Sequence, residues 1–260
     1  MAAVGLARAR SGGTTAPSAL PAASGTGGAA PPPACPSVTS AAATGTASTP
    51  VLWWRFGEGA GSIACDASGS GNAATLSAAA GWRPGSPGAL QLTSGGYAAG
   101  SAPAVRTDRS FTVMAWVYLT DKRAPHGVLS QPGEVSSGFV LEYEKPADSW
   151  RLIMPRSDSA GPEVDGPSSA SPPALNTWTH LAGRYDADRG TITLFVDGTA
   201  DESVPHASAW AAAGPIQAGR TWYDGAWTDR FAGSIKDVRA YPQALSTAEI
   251  ATIARDTRPA

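Results

Sequence analysis

Between Ser110 and Leu119 the segment SFTVMAWVYL places Phe111, Val113, Ala115 and Val117 on one side of an extended chain, and Met114, Trp116 and Tyr118 on the other. Apolar residues on both faces predict a strand in the middle of a sheet, covered from both sides. GFVLEYE and SWRLIMP follow as further strands, joined by KPAD, which reads as a hairpin turn. WTHLAGRYD, the turn ADRG and TITLFVD continue the pattern up to Asp197–Gly198. An Asp-Gly pair tolerates the positive φ angles that a tight hairpin needs. Strands of this length, separated by short turns, predict an all-β sandwich or barrel and argue against alternating helices and parallel strands. One helix is expected near the end, in ALSTAEIATIA. Ser246 is its N-cap, Glu249 reaches back to close a capping box, and Leu245 and Ile250 form a hydrophobic staple.

The pattern begins abruptly at Val51. Residues 1–50 are mostly Ala, Ser, Gly, Thr and Pro, with no aromatic, acidic or lysine residue. Such a segment has too little apolar surface to offset the entropy of ordering it, so it is expected to be a disordered tail or linker. The ordered domain is expected over 51–256. The first residues, MAAVGLARARSGG, carry two arginines but no apolar block behind them, and do not read as a secretory signal. Export by another route, a misplaced start and excision from a longer chain are all left open.

Composition narrows the function classes. The 260 residues carry a formal charge of −2, which gives no electrostatic reason to expect nucleic acid or an anionic membrane as partner. No apolar run is long enough to span a bilayer. The two cysteines, Cys35 and Cys65, lie in neither a CxxC pair nor a metal-ligand pattern. They form a bridge between tail and domain in an exported protein, or remain free or buried thiols; their spacing does not choose.

Several stretches together resemble a known family. FTVMAWVYL, NTWTHLAGRYDADRGTITLFVDGT and FAGSIKDVRAYPQALSTAEI occur in the order found in laminin-G-like jelly-roll domains of the concanavalin A-like lectin/glucanase superfamily. LWWRFGEGAGSIACDASGSGNAATL is similar to that family's first strand and its Asp-x-Ser-Gly-x-Gly-Asn loop. The resemblance implies a two-sheet antiparallel jelly-roll sandwich. It also implies an extracellular or cell-surface location and a non-catalytic role in binding glycans or other surface ligands. The same superfamily includes glycoside hydrolases, so catalysis has to be judged residue by residue.

His180, in WTHLAGRYD, would need a nucleophile or water and an orienting partner to act as a base. No nucleophile motif accompanies it, and it is expected to be a packed, hydrogen-bonded filler. Glu142 and Glu144 are the best carboxylate pair, projecting from one strand face about 6.6–6.8 Å apart. Inverting glycosidases use about 6.5–9.5 Å, so geometry permits catalysis. The superfamily's glucanases resemble a Glu-x-Asp-x-x-Glu pattern, however, and here Lys145, Pro146 and Ala147 follow Glu144, so the motif lacks its Asp and its final Glu.

The loop CDASGSGNAAT offers Asp66, Ser68, Ser70 and Asn72 as oxygen donors of the kind calcium takes. Some relatives add an aspartate where this chain has Lys236, and Asp237, one residue later, is expected to face the opposite way. An ordered Asx-rich turn is the default, with a calcium site at Asp66 and Asn72 as the alternative.

The last candidates are Trp210 and the group Trp222, Tyr223, Asp224, Trp227 and Asp229, read as one loop between strands. Aromatic rings there would stack on sugar faces while the carboxylates bond hydroxyls. The alternative is that the rings plug the end of the sandwich. The expected function is a recognition module without catalysis, binding a polysaccharide, a glycoprotein or a surface protein. A hydrolase using Glu142 and Glu144 is one alternative, and a structural or adhesive protein-binding domain is the other.

Overall fold

The period-two pattern is realised as strands throughout the computed structural model, which describes Cys35 and residues 48–85, 88–93 and 95–259. The expected tail therefore lies outside the described residues, except for Cys35 and Ser48–Pro50. All that is described belongs to the unit Pro32–Ala260. Six short strands come first: β1 (Leu52–Trp54), β2 (Ile63–Ala64), β3 (Ala74–Leu76), β4 (Ala80–Arg83), β5 (Ala89–Leu92) and β6 (Ala98–Ala99). The longer β7 (Phe111–Leu119), β8 (His126–Pro132), β9 (Ser137–Glu144) and β10 (Ser149–Pro155) precede the short β11 (Val164–Asp165). Then come β12 (Trp178–Asp186), β13 (Thr191–Val196), β14 (Thr199–Pro205) and β15 (Gln217–Ala218). β16 (Thr221–Tyr223), β17 (Ala226–Thr228), β18 (Gly233–Tyr241) and the helix α1 (Thr247–Asp256) complete the chain.

These strands form two large antiparallel sheets, the jelly-roll sandwich expected. Sheet I runs β14-β13-β12-β7-β18-β5-β4, with β1 also paired to β18. Sheet II runs β11-β10-β9-β8-β15-β6-β3-β2. β7 lies between β12 and β18, the mid-sheet place that its two apolar faces demand. Phe111, Val113, Ala115 and Val117 enter the core between the sheets, against Leu141, Leu152, Leu181, Leu194 and Ile235. Each large side chain buried this way contributes about 1.5–3 kcal/mol. The other face of β7 is covered by α1, where Met114 joins Ala182, Phe195, Tyr241, Leu245 and Ile250.

The local devices behave as the sequence suggests. Ser246 and Glu249 form a reciprocal capping box, and both members of the staple are buried. The β13–β14 turn uses Asp197 at φ 49° and Gly198 at φ 78°. Cys35 and Cys65 are joined in a disulfide that closes a separation of 30 residues.

One expectation fails. Asp237 does not face away from Lys236: the two line the same cavity, and the Trp53 indole donates to Asp237 Oδ1 at 2.6 Å. The cause is a β-bulge between Lys236 and Arg239, with Asp237 at φ 49°. A bulge inserts one residue into the ladder and cancels the alternation that the expectation relied on.

Candidate recognition site

The stretch read as a loop from Trp222 to Asp229 is a hairpin of its own, outside both large sheets. Thr221 pairs with Thr228, Trp222 with Trp227 and Tyr223 with Ala226. Asp224 (φ 52°) and Gly225 (φ 72°) make its turn, because both positions need the left-handed region. Hydrogen bonds from both backbone and side chains seat the hairpin on sheet II. The Gly127 amide donates to the Asp229 carbonyl at 2.6 Å, and that of Gly225 to the Val135 carbonyl at 2.9 Å. The Ser137 hydroxyl donates to the Trp222 carbonyl at 2.9 Å, and the Trp222 indole to the Glu134 carbonyl at 3.1 Å. A Cβ at Gly127 would collide with Thr221 Oγ1, so only glycine lets the strands approach this closely.

The aromatic rings divide into two groups by exposure. Trp222 and Trp227 are half-buried and face one another with ring centroids 4.9 Å apart. Behind them Arg220 is buried between two rings, its guanidinium 3.4 Å from the Tyr97 centroid and 3.5 Å from that of Trp227. Burial holds its pKa down to about 10. Tyr223, by contrast, is 42% exposed, and Asp224 beside it is exposed at the turn. Asp229, at the hairpin's foot, is half-buried; burial raises its carboxyl above the ordinary range, against a bond from the Thr228 hydroxyl.

Trp210 is not part of this pair. Its indole donates to the Pro155 carbonyl at 2.9 Å, and its ring packs against Gly133, where a Cβ would come within 2.7 Å. Trp210 and Trp222 meet the same β8–β9 loop instead of each other. That loop is held by the Asp158 carboxylate, which accepts the amides of Glu134, Val135 and Ser136.

Glu142 and Glu144 share the outer face of β9 with different surroundings. Glu144 is ion-paired to Arg151 at 2.5 Å. Glu142 is 7% exposed and has no hydrogen-bond partner among the described residues. Burial, and then the nearby Asp229 charge, push its pKa up to about 8, so it is mostly protonated at neutral pH. Neither carboxylate lines the cavities around Trp53 and Arg239 or the one around Val105 and Ala212. His180 is buried on the opposite sheet, edge-on to Trp116 at 5.3 Å, with Nδ1 unpartnered. Burial holds its pKa down to about 4, so it is neutral.

Asp66 and Asn72 are brought together, but on each other and on the backbone. Asp66 Oδ1 accepts the amides of Trp53 and Ser68, both at 2.9 Å, and Oδ2 accepts that of Asn72 at 3.1 Å. Asn72 Oδ1 accepts the amides of Ser101 and Ala102. Every side-chain oxygen of the pair thus receives at least one amide proton, which orders the loop as a turn. Among the described residues no group of three or more His, Cys, Asp or Glu is placed to hold a metal.

Two residues of the hairpin's surroundings escaped the sequence reading: Arg220 and Tyr97. Arg220 directly precedes the TWY stretch, a usable signal, whereas Tyr97, just before β6, arrives by folding alone.

With this geometry in place, comparison with known proteins places the chain. A laminin G family model described as the concanavalin A-like lectin/glucanases superfamily matches residues 92–251. No curated protein matches the sequence. Solved structures similar to it include one titled for the cell entry of botulinum neurotoxin type C and its dependence on two ganglioside molecules. That match has 10% identity and a TM-score of 0.64, covering 81% of this chain and 52% of that one. A second is the binding domain of botulinum neurotoxin DC in complex with rat synaptotagmin II, at 10% identity and TM-score 0.61, covering 80% and 51%. A third is the binding domain of botulinum neurotoxin serotype G, at 10% identity and TM-score 0.60, covering 80% and 51%. The chain spans about half the length of these structures, and identities this low show a shared fold alone. Among the described residues no helix is long and apolar enough to cross a membrane.

Proposed function

The chain belongs to the concanavalin A-like lectin/glucanases superfamily, and we propose that it is a non-catalytic recognition module for carbohydrate on a polysaccharide or surface glycoprotein. The observation that carries this reading is the β16–β17 hairpin, which presents Tyr223 and Asp224 at its tip on a braced base. An exposed phenol ring offers a flat face to sugar C–H groups, and the adjacent carboxylate accepts hydrogen bonds from hydroxyls. Trp222, Trp227 and Arg220 hold the hairpin rigid, which lowers the entropy cost of binding. The ganglioside and synaptotagmin named for the neurotoxin structures support glycan and protein ligands alike on this fold. We place the protein outside the cell, since its disulfide is of the kind that persists in oxidising compartments. Glycan-array screening followed by pull-down on insoluble polysaccharides tests the proposal. Retention should fall at least tenfold in Tyr223→Ala; failure to bind any glycan, or unchanged retention in that variant, contradicts it.

A second reading, hydrolysis of glycosides, has one observation in its favour. Glu142 is held protonated while its neighbour Glu144 sits in an ion pair, and a split of this sort suits an acid and a base. Reducing-sugar release that disappears in Glu142→Gln would support it. Inactivity across a broad polysaccharide panel would remove it.

A further inference from the structure

On the outer face of sheet I, beside the end of α1, lies a cavity of about 570 Å³. β12, β7 and β18 place His180, Trp116 and Lys236 in a row on this face, since each pairs with the next. The Trp116 indole donates to Thr257 Oγ1 at 2.8 Å and ties the row to the helix end. Lys236 is only 4% exposed, yet it lines the cavity. Asp237 commits Oδ1 to the Trp53 indole and, at 3.2 Å, to Arg239. Lys236 is left with no hydrogen-bond or ion-pair partner among the described residues.

Two more cations converge on the same opening. Arg55 lies 4.0 Å above the Trp53 ring and Arg239 lies 4.3 Å from it, and all three line the cavity. The acids here are Asp237 and Glu58, and Glu58 accepts the Cys65 amide. Burial lowers the pKa of Lys236, and the Asp237 charge beside it, already shared with Arg239 and the Trp53 indole, only partly opposes this. An anion entering the cavity would offset the cost of burying this ammonium, and guanidinium groups bond oxyanions through paired donors. A second cavity of about 390 Å³ shares Trp53 and Arg239 with the first and adds Leu245 and Ile253, giving room for the rest of a ligand.

We propose that this cavity is an oxyanion-binding site, taking the carboxylate or sulfate of a small ligand or acidic sugar, with Lys236 as the buried charge and Arg55 and Arg239 closing over it. It lies on the sheet opposite the hairpin and does not depend on the hairpin's role.

The test is titration calorimetry of the full chain with sodium sulfate and with glucuronate at constant ionic strength, using glucose as the neutral control. Saturable binding of at least one anion and none of glucose is expected. Affinity should drop at least tenfold in Lys236→Met, which removes the charge but keeps an unbranched side chain, and in Arg55→Gln, whose side chain is exposed. Tighter glucuronate assigns the anion to an acidic sugar, and tighter sulfate to a free inorganic ion; both support the site. Absence of saturable binding in the wild type overturns it, as does wild-type affinity in a folded Lys236→Met. Should that variant fail to fold, unchanged affinity in Arg55→Gln overturns it in the same way.

Discussion

Trp222 stands opposite Trp227 across the β16–β17 hairpin, with ring centroids 4.9 Å apart and planes tilted by 59°. Half-buried and anchored to the Glu134 carbonyl, this pair braces the hairpin while Tyr223 and Asp224 project from its tip. Bracing and contact can therefore be separated by mutation. Trp227→Ala should destabilise the domain by about 1–3 kcal/mol, because a packed ring is removed. Tyr223→Ala should stay within about 0.5 kcal/mol of wild type, as exposed substitutions usually do. Chemical denaturation of both variants checks this; equal losses would mean that Tyr223 is also part of the packing.

Arg220 makes a stack that lysine cannot reproduce. Its planar guanidinium lies between Tyr97 and Trp227, and its Nε donates to Gln217 at 2.9 Å. Arg220→Lys keeps the charge but loses the planar contacts, each worth about 0.5–2 kcal/mol. A Tm drop of several degrees is expected, at roughly 2–4 °C per kcal/mol for a domain of this size. An unchanged Tm would show that the sandwich adds nothing to the fold.

Glu142 and His180 give opposite pH dependences. The Glu142 carboxyl moves from an ordinary 4.5 to about 8 in the fold, so between those values the native state holds a proton that the unfolded state releases. Stability from this group falls as pH rises through that window. His180 moves from 6.5 to about 4, so its contribution is present above 6.5 and is lost as pH falls toward 4. Glu142→Gln should match wild type near pH 4 and exceed it increasingly up to pH 8. Urea unfolding of both proteins from pH 4 to 9 measures the difference, and a flat difference would contradict the burial assigned to Glu142.

The Cys35–Cys65 bridge restricts the unfolded chain across a separation of 30 residues. Replacing both cysteines with serine should cost about 2–4 kcal/mol. Thermal melts with and without reductant provide the check: reductant should lower the wild-type Tm toward that of the double variant and leave the variant unmoved.

Much of the sandwich could be read in the chain because period-two alternation, Asp-Gly turns and the capping box are local signals. β7 shows this best: its two apolar faces determined both its mid-sheet place and its two sets of neighbours. The site was less legible. Asp237 defied alternation because a bulge is a backbone event that its side chain does not announce. Trp222 and Trp227 were visible as a cluster and the Asp224–Gly225 pair between them is itself a hairpin signal, whereas the seat that Gly127 leaves on β8 comes only from the fold. Tyr97 and Arg220 meet only through long-range folding, and so do Trp53, Lys236 and Arg239. Nothing in the spacing of such residues tells of their contact.

The most direct test of the recognition account is an NMR titration of the full chain with the strongest glycan found on an array. Chemical-shift changes should centre on Tyr223, Asp224 and Gly225, with the glycan recovered intact. Changes centred on Glu142 and Glu144 with the glycan cleaved, or a bound glycan that leaves the hairpin untouched, would contradict it.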